Sequence, residues 1–294
     1  MRILVLSFPE SRPQAQQLAK ALGVGCEEVL IHHFPDGESK LTLPQKLPER
    51  VIFHRSLDHP NDKLVELLLA AECAREQGVQ HLTLVAPYLC YMRQDIAFHP
   101  GEAVSQTIIG RFLARQFEQV ITVDTHLHRI QQLEQAIPIQ HACNLTATTA
   151  MGIFLKQQHL QPSPLLLGPD QESEQWVASI AAITQFDYVV ADKTRLGDCD
   201  VSINLPDTDY KDRDIVIVDD VISSGYTVAV AARQAQEKGA RAVHCLITHA
   251  LFAQDAVENL KTAGVQHIWS SDSITHSSNV ISLAPLLAGV LKDE

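Results

Sequence analysis

Short runs of apolar residues alternate along this chain with longer segments in which apolar residues recur at the spacing of a helical turn. The short runs predict buried strands, and the longer segments predict helices with one buried face. The predicted strands are Ile3–Phe8, Val29–Phe34, Val51–His54, His81–Ala86, Val120–Asp124, Leu165–Gly168, Tyr188–Ala191, Asp214–Asp219, Ala242–Thr248 and His267–Ser270. The predicted helices are Asp62–Gln77, Ala103–Phe117, Leu145–Gln157, Glu174–Thr184, Thr227–Lys238 and Ala253–Ala263. Because strands and helices alternate, we expect an α/β fold with mainly parallel sheets covered by helices.

The chain is long enough for two domains. It has 294 residues, and a single domain commonly holds about 100–200. A turn rich in Gln, Pro and Ser at His159–Pro164 follows the predicted helix Leu145–Gln157, and no low-complexity tract is present. We place the domain boundary near Ala142, which predicts one α/β domain at 1–142 and a second at 143–294.

The amino-acid composition of the chain limits the kinds of molecule that we expect it to bind. Lys and Arg number 23 against 35 Asp and Glu, so the formal net charge is −12. Proteins that bind duplex nucleic acid present basic faces, so we expect no nucleic-acid partner, although a local basic pocket for a phosphorylated ligand stays open. The apolar runs are far shorter than the roughly 20 residues that cross a membrane, and the N-terminus shows no cleavage site. We therefore expect a cytoplasmic protein with reduced cysteines, since its six cysteines form no C-x-x-C pair.

The segment after the predicted strand Asp214–Asp219 carries the most specific chemistry. Two carboxylates, Asp219 and Asp220, precede a Ser- and Gly-rich loop that opens a helix. Ligands bind at the carboxyl ends of strands in such folds, and a helix N-terminus offers N–H groups to a phosphate. The carboxylates suit the hydroxyls of a sugar or a cation, so a sugar phosphate fits the whole segment. A purely structural strand–helix turn is the alternative.

Several further motifs, in order along the chain, resemble those of the ribose-phosphate diphosphokinase (phosphoribosyl pyrophosphate synthetase) family. They are Phe34–Glu38 (F-P-D-G-E), Pro87–Asp95 (P-Y-L-C-Y-M-R-Q-D), Pro100–Glu102, Val123–His126 (V-D-T-H), Gly168–Asp170 and Lys193–Arg195 (K-T-R). The resemblance covers nearly the whole chain. The short length, the K-T-R motif and Ser223 are similar to the archaeal-type branch of that family.

The resemblance implies a fold and a reaction. The fold is α/β, with two phosphoribosyltransferase-like domains, each a mainly parallel sheet flanked by helices. The reaction is Mg²⁺-dependent transfer of pyrophosphate from ATP to O1 of ribose 5-phosphate, which gives 5-phosphoribosyl 1-pyrophosphate and AMP for nucleotide biosynthesis. The first domain would carry the ATP-binding and oligomerisation elements, and the second the ribose 5-phosphate loop. The adenine-binding loop acts on a neighbouring subunit in this family, so a homo-oligomer, a dimer or a multiple of dimers, is implied.

The resemblance also assigns roles to residues. The ATP-binding residues would be Phe34, Asp36, Glu38, Arg93, Gln94, Asp95 and His126. The ribose 5-phosphate-binding residues would be Asp219, Asp220, Ser223, Ser224, Gly225, Tyr226 and Thr227. The magnesium-linked residues would be His126 and Asp170, and the catalytic residues Lys193 and Arg195. If the strand before them continued, His126 and His128 would share a face, which leaves a zinc site as a weaker alternative.

The chain departs from the family pattern at a few positions. A basic residue commonly follows R-Q-D, but Ile96 and Ala97 stand here; Arg129 replaces a usual Gln, and Tyr226 replaces a usual Gly. Two other functions stay open: a non-catalytic regulatory subunit of a synthetase assembly, and a nucleobase phosphoribosyltransferase. The second does not account for the N-terminal half of the chain. The sequence also leaves open which domain the segment Ile281–Leu291 joins.

Overall fold

The structure is a computed structural model of the chain. It describes residues 2–127, 129–160, 164–195, 201–253 and 255–292, with the backbone alone at 193–195 and 201–202. The chain divides into two compact units. The first is Met1–Thr146 with Leu283–Glu294, and the second is Ala147–Ser282.

The elements alternate along the chain as the apolar pattern predicts. The strands are β1 (Ile3–Ser7), β2 (Gly25–Glu28), β3 (Leu30–His33), β4 (Ser39–Thr42), β5 (Arg50–His54), β6 (His81–Val85), β7 (Gln119–Val123), β8 (His141–Leu145), β9 (Leu165–Gly168), β10 (Asp187–Val190), β11 (Asp192–Arg195), β12 (Val201–Asn204), β13 (Asp214–Val221), β14 (Ala242–His249), β15 (Val265–Ser271) and β16 (Asn279–Ile281). The helices are α1 (Arg12–Leu22), α2 (Pro60–Glu76), α3 (Ser105–Gln116), α4 (Thr148–Gln157), α5 (Glu174–Thr184), α6 (Tyr226–Glu237), α7 (Ala256–Thr262) and α8 (Ala284–Lys292).

The first unit is built on a six-stranded parallel sheet in the order β2-β1-β5-β6-β7-β8. Its central strands are buried along almost their whole length because helices cover the sheet. Strands β3 and β4 leave this sheet and pair with each other as an antiparallel hairpin. That hairpin carries the predicted adenine loop at its tip.

The second unit is built on a second six-stranded parallel sheet in the order β10-β9-β13-β14-β15-β16. Ile215 to Val218 in β13 are fully buried, as expected for a central parallel strand. Strands β11 and β12 form a separate antiparallel hairpin. In each sheet the order reverses beside the first strand of the unit, between β1 and β5 and between β9 and β13. These reversals are the points at which α/β sheets bind ligands.

The predicted fold class is confirmed, since each unit is a mainly parallel sheet flanked by helices. The bounds of the two units differ from the predicted domains in two respects. The sequence places 143–294 in the second domain, whereas the last helix, α8, packs on α1 in the first unit. The N-terminal side of the division lies at Thr146 rather than Ala142. Helix α8 is short and follows a short edge strand, so no sequence pattern indicates which sheet it covers.

Some edges differ from the predicted elements. The run Val29–Phe34 was predicted as one sheet strand but is the first arm of the β3–β4 hairpin. The predicted helix Leu145–Gln157 begins at Thr148, because Leu145 ends the edge strand β8. Edge strands such as β2 and β8 are only partly buried, so they lack the continuous apolar runs that reveal central strands. The predicted turn at 161–163 lies outside the described residues.

Candidate active site

Three carboxylates meet at the reversal point of the second sheet. Asp170 follows the end of β9, and Asp219 and Asp220 lie near the end of the neighbouring strand β13. Strand β13 runs on to Val221, so it contains both Asp219 and Asp220 and ends two residues later than the predicted strand Asp214–Asp219. Asp170 is fixed by its own turn, because its carboxylate accepts a hydrogen bond from the backbone N–H of Ser173 at 3.2 Å.

The negative charges of these three aspartates repel one another. Burial, followed by the nearby carboxylates of Asp220 and Asp170, raises the pKa of Asp219 well above its usual value. Backbone N–H groups hold the pair in place: Asp220 donates to the carboxylate of Asp219 at 3.0 Å, and Val221 donates to that of Asp220 at 2.8 Å. A site of this kind favours a cation or several hydroxyl donors, because either relieves the repulsion.

The predicted phosphate loop follows directly and opens helix α6. Gly225 precedes the first helical residue with φ of 73°, and a Cβ there would come within 3.4 Å of the carbonyl oxygen of Ala256. The positive φ disfavours any residue with a side chain at this position, whereas the contact distance by itself is an ordinary one. The backbone N–H of Tyr226 lies 3.5 Å from the hydroxyl of Ser224, and the Tyr226 ring is exposed. Thr227 lies in the first turn of α6, where free N–H groups attract anions.

A buried polar cluster that the sequence analysis did not predict lies behind this loop. The hydroxyls of Ser271 and Ser273 both donate to the carbonyl oxygen of Thr248, at 2.6 and 2.8 Å, and Ser273 also bonds His249 at 2.9 Å. The carbonyl oxygen of His249 in turn accepts the N–H of Ile222, at the start of the loop. The signal for this cluster was Thr and His at the end of one buried strand and Ser at the end of the next.

The predicted catalytic residues lie in a separate hairpin of the second unit. Residues 193 and 195 belong to β11, with Lys193 opposite Ile203 and Arg195 opposite Val201 in β12. The segment is therefore extended, as the alternation K-x-R requires. The side chains of Lys193 and Arg195 lie outside the described part of the structure.

In the first unit, the predicted adenine loop Phe34–Glu38 forms the exposed tip of the β3–β4 hairpin. The tip is closed by hydrogen bonds from Phe34 N–H to the carbonyl oxygen of Glu38 at 2.8 Å and from Gly37 N–H to that of Phe34 at 2.9 Å. The Asp36 carboxylate accepts the N–H of Glu38 at 3.2 Å, and the Phe34 ring meets the edge of His32. An aromatic ring and two acids are thus presented to solvent on a short, fixed turn.

Buried charges anchor the base of this hairpin. Glu66 in α2 is 2% exposed and accepts the hydroxyl of Ser39 at 3.0 Å, at the start of β4. Arg55, 3% exposed, donates to Glu66 at 2.5 Å and to Glu10 at 2.7 Å. His33, the last residue of β3, lies 3.1 Å from the same serine hydroxyl. Because buried charges are costly unless paired, this network fixes the hairpin against the body of the unit.

The predicted nucleotide segment Arg93–Asp95 is held by one glutamine. Gln106, buried near the start of α3, donates from its backbone to the carbonyl oxygen of Gln94 at 3.2 Å and from its side chain to that of Met92 at 3.3 Å. Arg93 itself is exposed. The carboxylate of Asp95 accepts a hydrogen bond from Arg129 at 2.6 Å, so two segments far apart in sequence meet at this carboxylate.

The predicted histidine pair is only partly described. Strand β7 ends at Val123, and Asp124 has φ of 41°, so the strand ends before His126. The condition for a shared face of His126 and His128, a strand that continues, is therefore not met at His126, and His128 lies outside the described residues. The next residue, Thr125, donates its N–H to the side chain of Asn144 at 2.9 Å, which fixes the chain just before His126. Among the residues described, no three His, Cys, Asp or Glu side chains are arranged to hold a metal ion by themselves, and this includes Asp170, Asp219 and Asp220.

The sequence of this chain is similar to sequences of known proteins over nearly its whole length. Residues 3–116 match the model of the N-terminal domain of ribose phosphate pyrophosphokinase, and residues 204–286 match that of the phosphoribosyl synthetase-associated domain. A ribose-phosphate pyrophosphokinase of Methanopyrus kandleri is 30% identical over 99% of both chains, and one of Methanosarcina acetivorans is 32% identical over 98% of this chain and 99% of its own.

The chain belongs to the ribose-phosphate pyrophosphokinase family. The structure of phosphoribosylpyrophosphate synthetase from Mycobacterium smegmatis covers 99% of this chain and 98% of its own, with a TM-score of 0.84 at 19% identity. The family fold therefore extends over both units. The family resemblance inferred from the motifs is confirmed, and the archaeal relatives agree with the branch inferred from them. Over the described residues, no helix is long and apolar enough to span a membrane.

Proposed function

We propose that this chain is a ribose-phosphate diphosphokinase. It transfers the pyrophosphoryl group of ATP to O1 of ribose 5-phosphate and releases AMP. The observation that carries the proposal is the meeting of Asp170, Asp219 and Asp220 at the reversal point of the second sheet, directly before a loop suited to phosphate. Membership of the family supports the same reaction.

In this proposal the second unit binds ribose 5-phosphate. The carboxylates of Asp219 and Asp220 accept hydrogen bonds from the ribose hydroxyls, and the loop Ser223–Thr227 holds the 5-phosphate by its N–H groups and hydroxyls. Tyr226 is the unusual residue of the loop. Its ring is exposed rather than packed into the unit, so the replacement of a small residue is compatible with phosphate binding.

ATP is assigned to residues of the first unit. Arg93, Gln94 and His126 contact the nucleotide, and Asp95 steadies this part of the ATP site. The exposed hairpin tip carries Phe34, Asp36 and Glu38, which stack on and read the adenine of a second copy. We therefore propose a homo-oligomer as the working form of the protein. The exposed Phe34 ring on a rigid hairpin supports this assignment, because burial of its apolar surface becomes favourable only when a partner covers it.

The residues present fit a magnesium ion. The donor set at Asp170, Asp219 and Asp220 consists of carboxylate oxygens, and the repulsion that raises the pKa of Asp219 is relieved by a cation. Magnesium is commonly held by one or two carboxylates together with substrate phosphates, so a complete protein cage is not required. When bound, the ion neutralises phosphate charge. The assignment of His126 to the magnesium site stays a proposal.

The transfer itself requires positive charge at the β-phosphorus. The O1 hydroxyl of ribose 5-phosphate attacks that phosphorus and releases its proton to solvent. The bond to the oxygen bridging the α- and β-phosphates breaks, and AMP leaves with the electron pair. We assign the compensating charge to Lys193 and Arg195, because such transfers depend on positioning and on electrostatic stabilisation rather than on a covalent intermediate. Their extended segment in β11 is compatible with two cations acting together.

The test is a product assay. The purified chain with MgATP and ribose 5-phosphate should form AMP and 5-phosphoribosyl 1-pyrophosphate in equal amounts, and Lys193→Ala should lower the rate at least about 100-fold. Lys156→Ala, an exposed lysine on α4, is the control and should leave the rate unchanged. Formation of ADP instead of AMP, or no turnover by the folded protein, would contradict the proposal.

A non-catalytic subunit is the second candidate, because the model matched by residues 204–286 is described as a synthetase-associated domain. The presence of Asp170, Lys193, Arg195, Asp219 and Asp220 favours catalysis over this alternative. Inactivity of the chain alone, together with stimulation of a separate active synthetase, would favour the regulatory role. Consumption of 5-phosphoribosyl 1-pyrophosphate by a nucleobase would instead identify a phosphoribosyltransferase.

A further inference from the structure

The contact between Asp95 and Arg129 joins a nucleotide-binding segment to a second loop. Nη1 of Arg129 lies 2.6 Å from Oδ1 of Asp95, although the two residues are 34 positions apart in sequence. The Asp95 side chain is 3% exposed, whereas that of Arg129 is 52% exposed. The carboxylate is therefore the fixed partner, and the guanidinium it holds faces solvent with further N–H donors.

The carboxylate of Asp95 is incompletely satisfied. Its Oδ2 atom is buried and has no hydrogen-bond partner among the residues that the structure describes. A buried acceptor without a donor is unfavourable, and such groups in a native fold need an explanation. The contact with Arg129 offsets part of that cost, because Nη1 donates to the other oxygen of the same carboxylate. The structure therefore favours keeping the guanidinium on Asp95.

The charges along the neighbouring segment point to a phosphorylated ligand. Arg93 is the one Lys or Arg between Pro87 and Pro100, and Ile96 and Ala97 follow Asp95 without a charge. The chain is strongly acidic overall, so a triphosphate with about four negative charges requires local cations. Arg129 supplies a second cation to this segment from another loop.

We propose that Arg129 binds the phosphates of the nucleoside triphosphate and that Asp95 is the positioning residue that holds its guanidinium toward them. This inference rests on the proposed function and deepens it, because it names a residue specific to the triphosphate. A guanidinium oriented by a buried carboxylate can donate two parallel hydrogen bonds to a phosphate without a large loss of side-chain freedom. Arg129 thus provides the charge that residues 96 and 97 lack.

Equilibrium binding separates this proposal from the question of turnover. The probe is a magnesium complex of an ATP analogue with a methylene bridge between the α- and β-phosphates, measured by calorimetry, with AMP as the comparison ligand. Arg129→Gln should weaken binding of the analogue about 10-fold and binding of AMP by much less, since AMP lacks the two outer phosphates. Arg129→Lys should recover part of the loss, because it restores the charge but not the fork.

Asp95→Asn tests the positioning role. It removes the charge that orients Arg129 but keeps an acceptor, so we expect a rise in the KM for ATP with a smaller change in kcat, and a changed dependence of analogue binding on salt. Arg12→Gln is the matched control, because Arg12 is an exposed arginine of the same unit paired at 3.2 Å with the partly buried Glu28. It should leave binding of both ligands unchanged.

The results of these experiments distinguish the proposed role of Arg129 from the proposed diphosphokinase reaction. Unchanged analogue binding in Arg129→Gln, an equal loss for AMP and the analogue, or no binding by the wild-type chain would overturn the role of Arg129. Analogue binding that depends on Arg129 in a chain that forms no AMP would retain that role and reject the diphosphokinase. Formation of AMP by a chain whose analogue binding does not depend on Arg129 would retain the diphosphokinase and reject the role of Arg129.

Discussion

At the scale of single residues, the candidate site holds carboxylates near one another although their negative charges repel. Asp219 lies against Asp220 and Asp170, and burial together with their charges raises its pKa. Such an arrangement destabilises the free protein and becomes favourable only when a cation or hydroxyl donors arrive. The same residues that the proposed function requires are therefore the ones whose replacement should benefit stability.

Replacing the carboxylate of Asp219 should raise the stability of the protein and lower its activity. Asp219→Asn keeps the size and an acceptor but removes a negative charge, so we expect the free energy of unfolding to rise by about 1 kcal/mol and AMP formation to fall at least about 100-fold. Denaturant titration and the product assay measure the two effects. Glu258→Gln, an exposed acid on α7, removes the same charge and should change neither by much. A loss of stability in Asp219→Asn would contradict this account.

A buried histidine in the first unit predicts the response to acid. His54 ends β5, and its Nδ1 is buried without a hydrogen-bond partner among the described residues. Burial lowers the pKa of His54 from 6.5 to about 4. Between these values the unfolded chain takes up a proton that the folded chain does not. Stability therefore falls as the pH decreases from 6.5 to about 4, by about 3 kcal/mol for this group, and is unaffected above that range.

The measurement is the free energy of unfolding as a function of pH. His54→Leu should reduce the loss of stability between pH 6.5 and 4, whereas the exposed His159→Leu should not. Part of the dependence should persist, because burial also lowers the pKa of His244, in the second unit, to about 4. An unchanged pH dependence in His54→Leu would mean that this histidine is not the source.

At the scale of elements, the β3–β4 hairpin combines an exposed tip with a buried base. The tip residues Phe34 to Glu38 project into solvent, while Ser39 at the start of β4 bonds the buried Glu66. The carboxylate of Glu66 is already held by Arg55 at 2.5 Å. A hairpin anchored by charge-assisted hydrogen bonds keeps one orientation, and we expect that orientation to matter wherever the tip binds.

Removing the anchor should affect the tip without unfolding the unit. Ser39→Ala deletes the hydroxyl that bonds Glu66, so we expect a loss of about 1–3 kcal/mol in stability and, if the tip binds adenine, a rise in the KM for ATP with a smaller change in kcat. Thr42→Ala, at an exposed position of the same strand, is the matched control. Equal kinetic effects from both variants would show that the anchor has no specific role.

At the scale of the whole molecule, the C-terminal helix belongs to the first unit although the chain reaches it from the second. Helix α8 packs on α1 and buries Leu287. The first unit therefore combines residues 1–146 with residues 283–294, two segments that are separated in sequence by the whole of the second unit.

Hydrogen exchange can test this assignment. Leu287→Ala leaves a cavity under α8 and should lower stability by about 2–5 kcal/mol. We expect the loss of amide protection to be concentrated in α1 and β1. Leu260→Ala, at a fully buried position of α7, is the control and should instead reduce protection in α6 and β15. Loss of protection in the second unit from Leu287→Ala would contradict the grouping.

Features whose physical cause is local follow from the amino-acid sequence. The periodicity of apolar residues predicts the central strands and most helices, and the order of turn residues predicts the loop around Gly225, because helical spacing, strand burial and turn conformation depend on neighbouring residues. The motif Phe34–Glu38 and the acidic pair of Asp219 and Asp220 are likewise continuous in the sequence. Edge strands such as β8 were missed, since a half-exposed strand has no distinctive apolar run.

Only the tertiary structure decided which distant side chains meet. Ser39 bonds Glu66 across 27 positions and Arg129 bonds Asp95 across 34, and neither pairing leaves a trace in local composition. The approach of Asp170 to Asp219 follows from the pairing of β9 with β13, and the return of α8 follows from packing on α1. Such contacts are set by sheet order and by the burial of whole faces, which are properties of the assembled chain rather than of any segment.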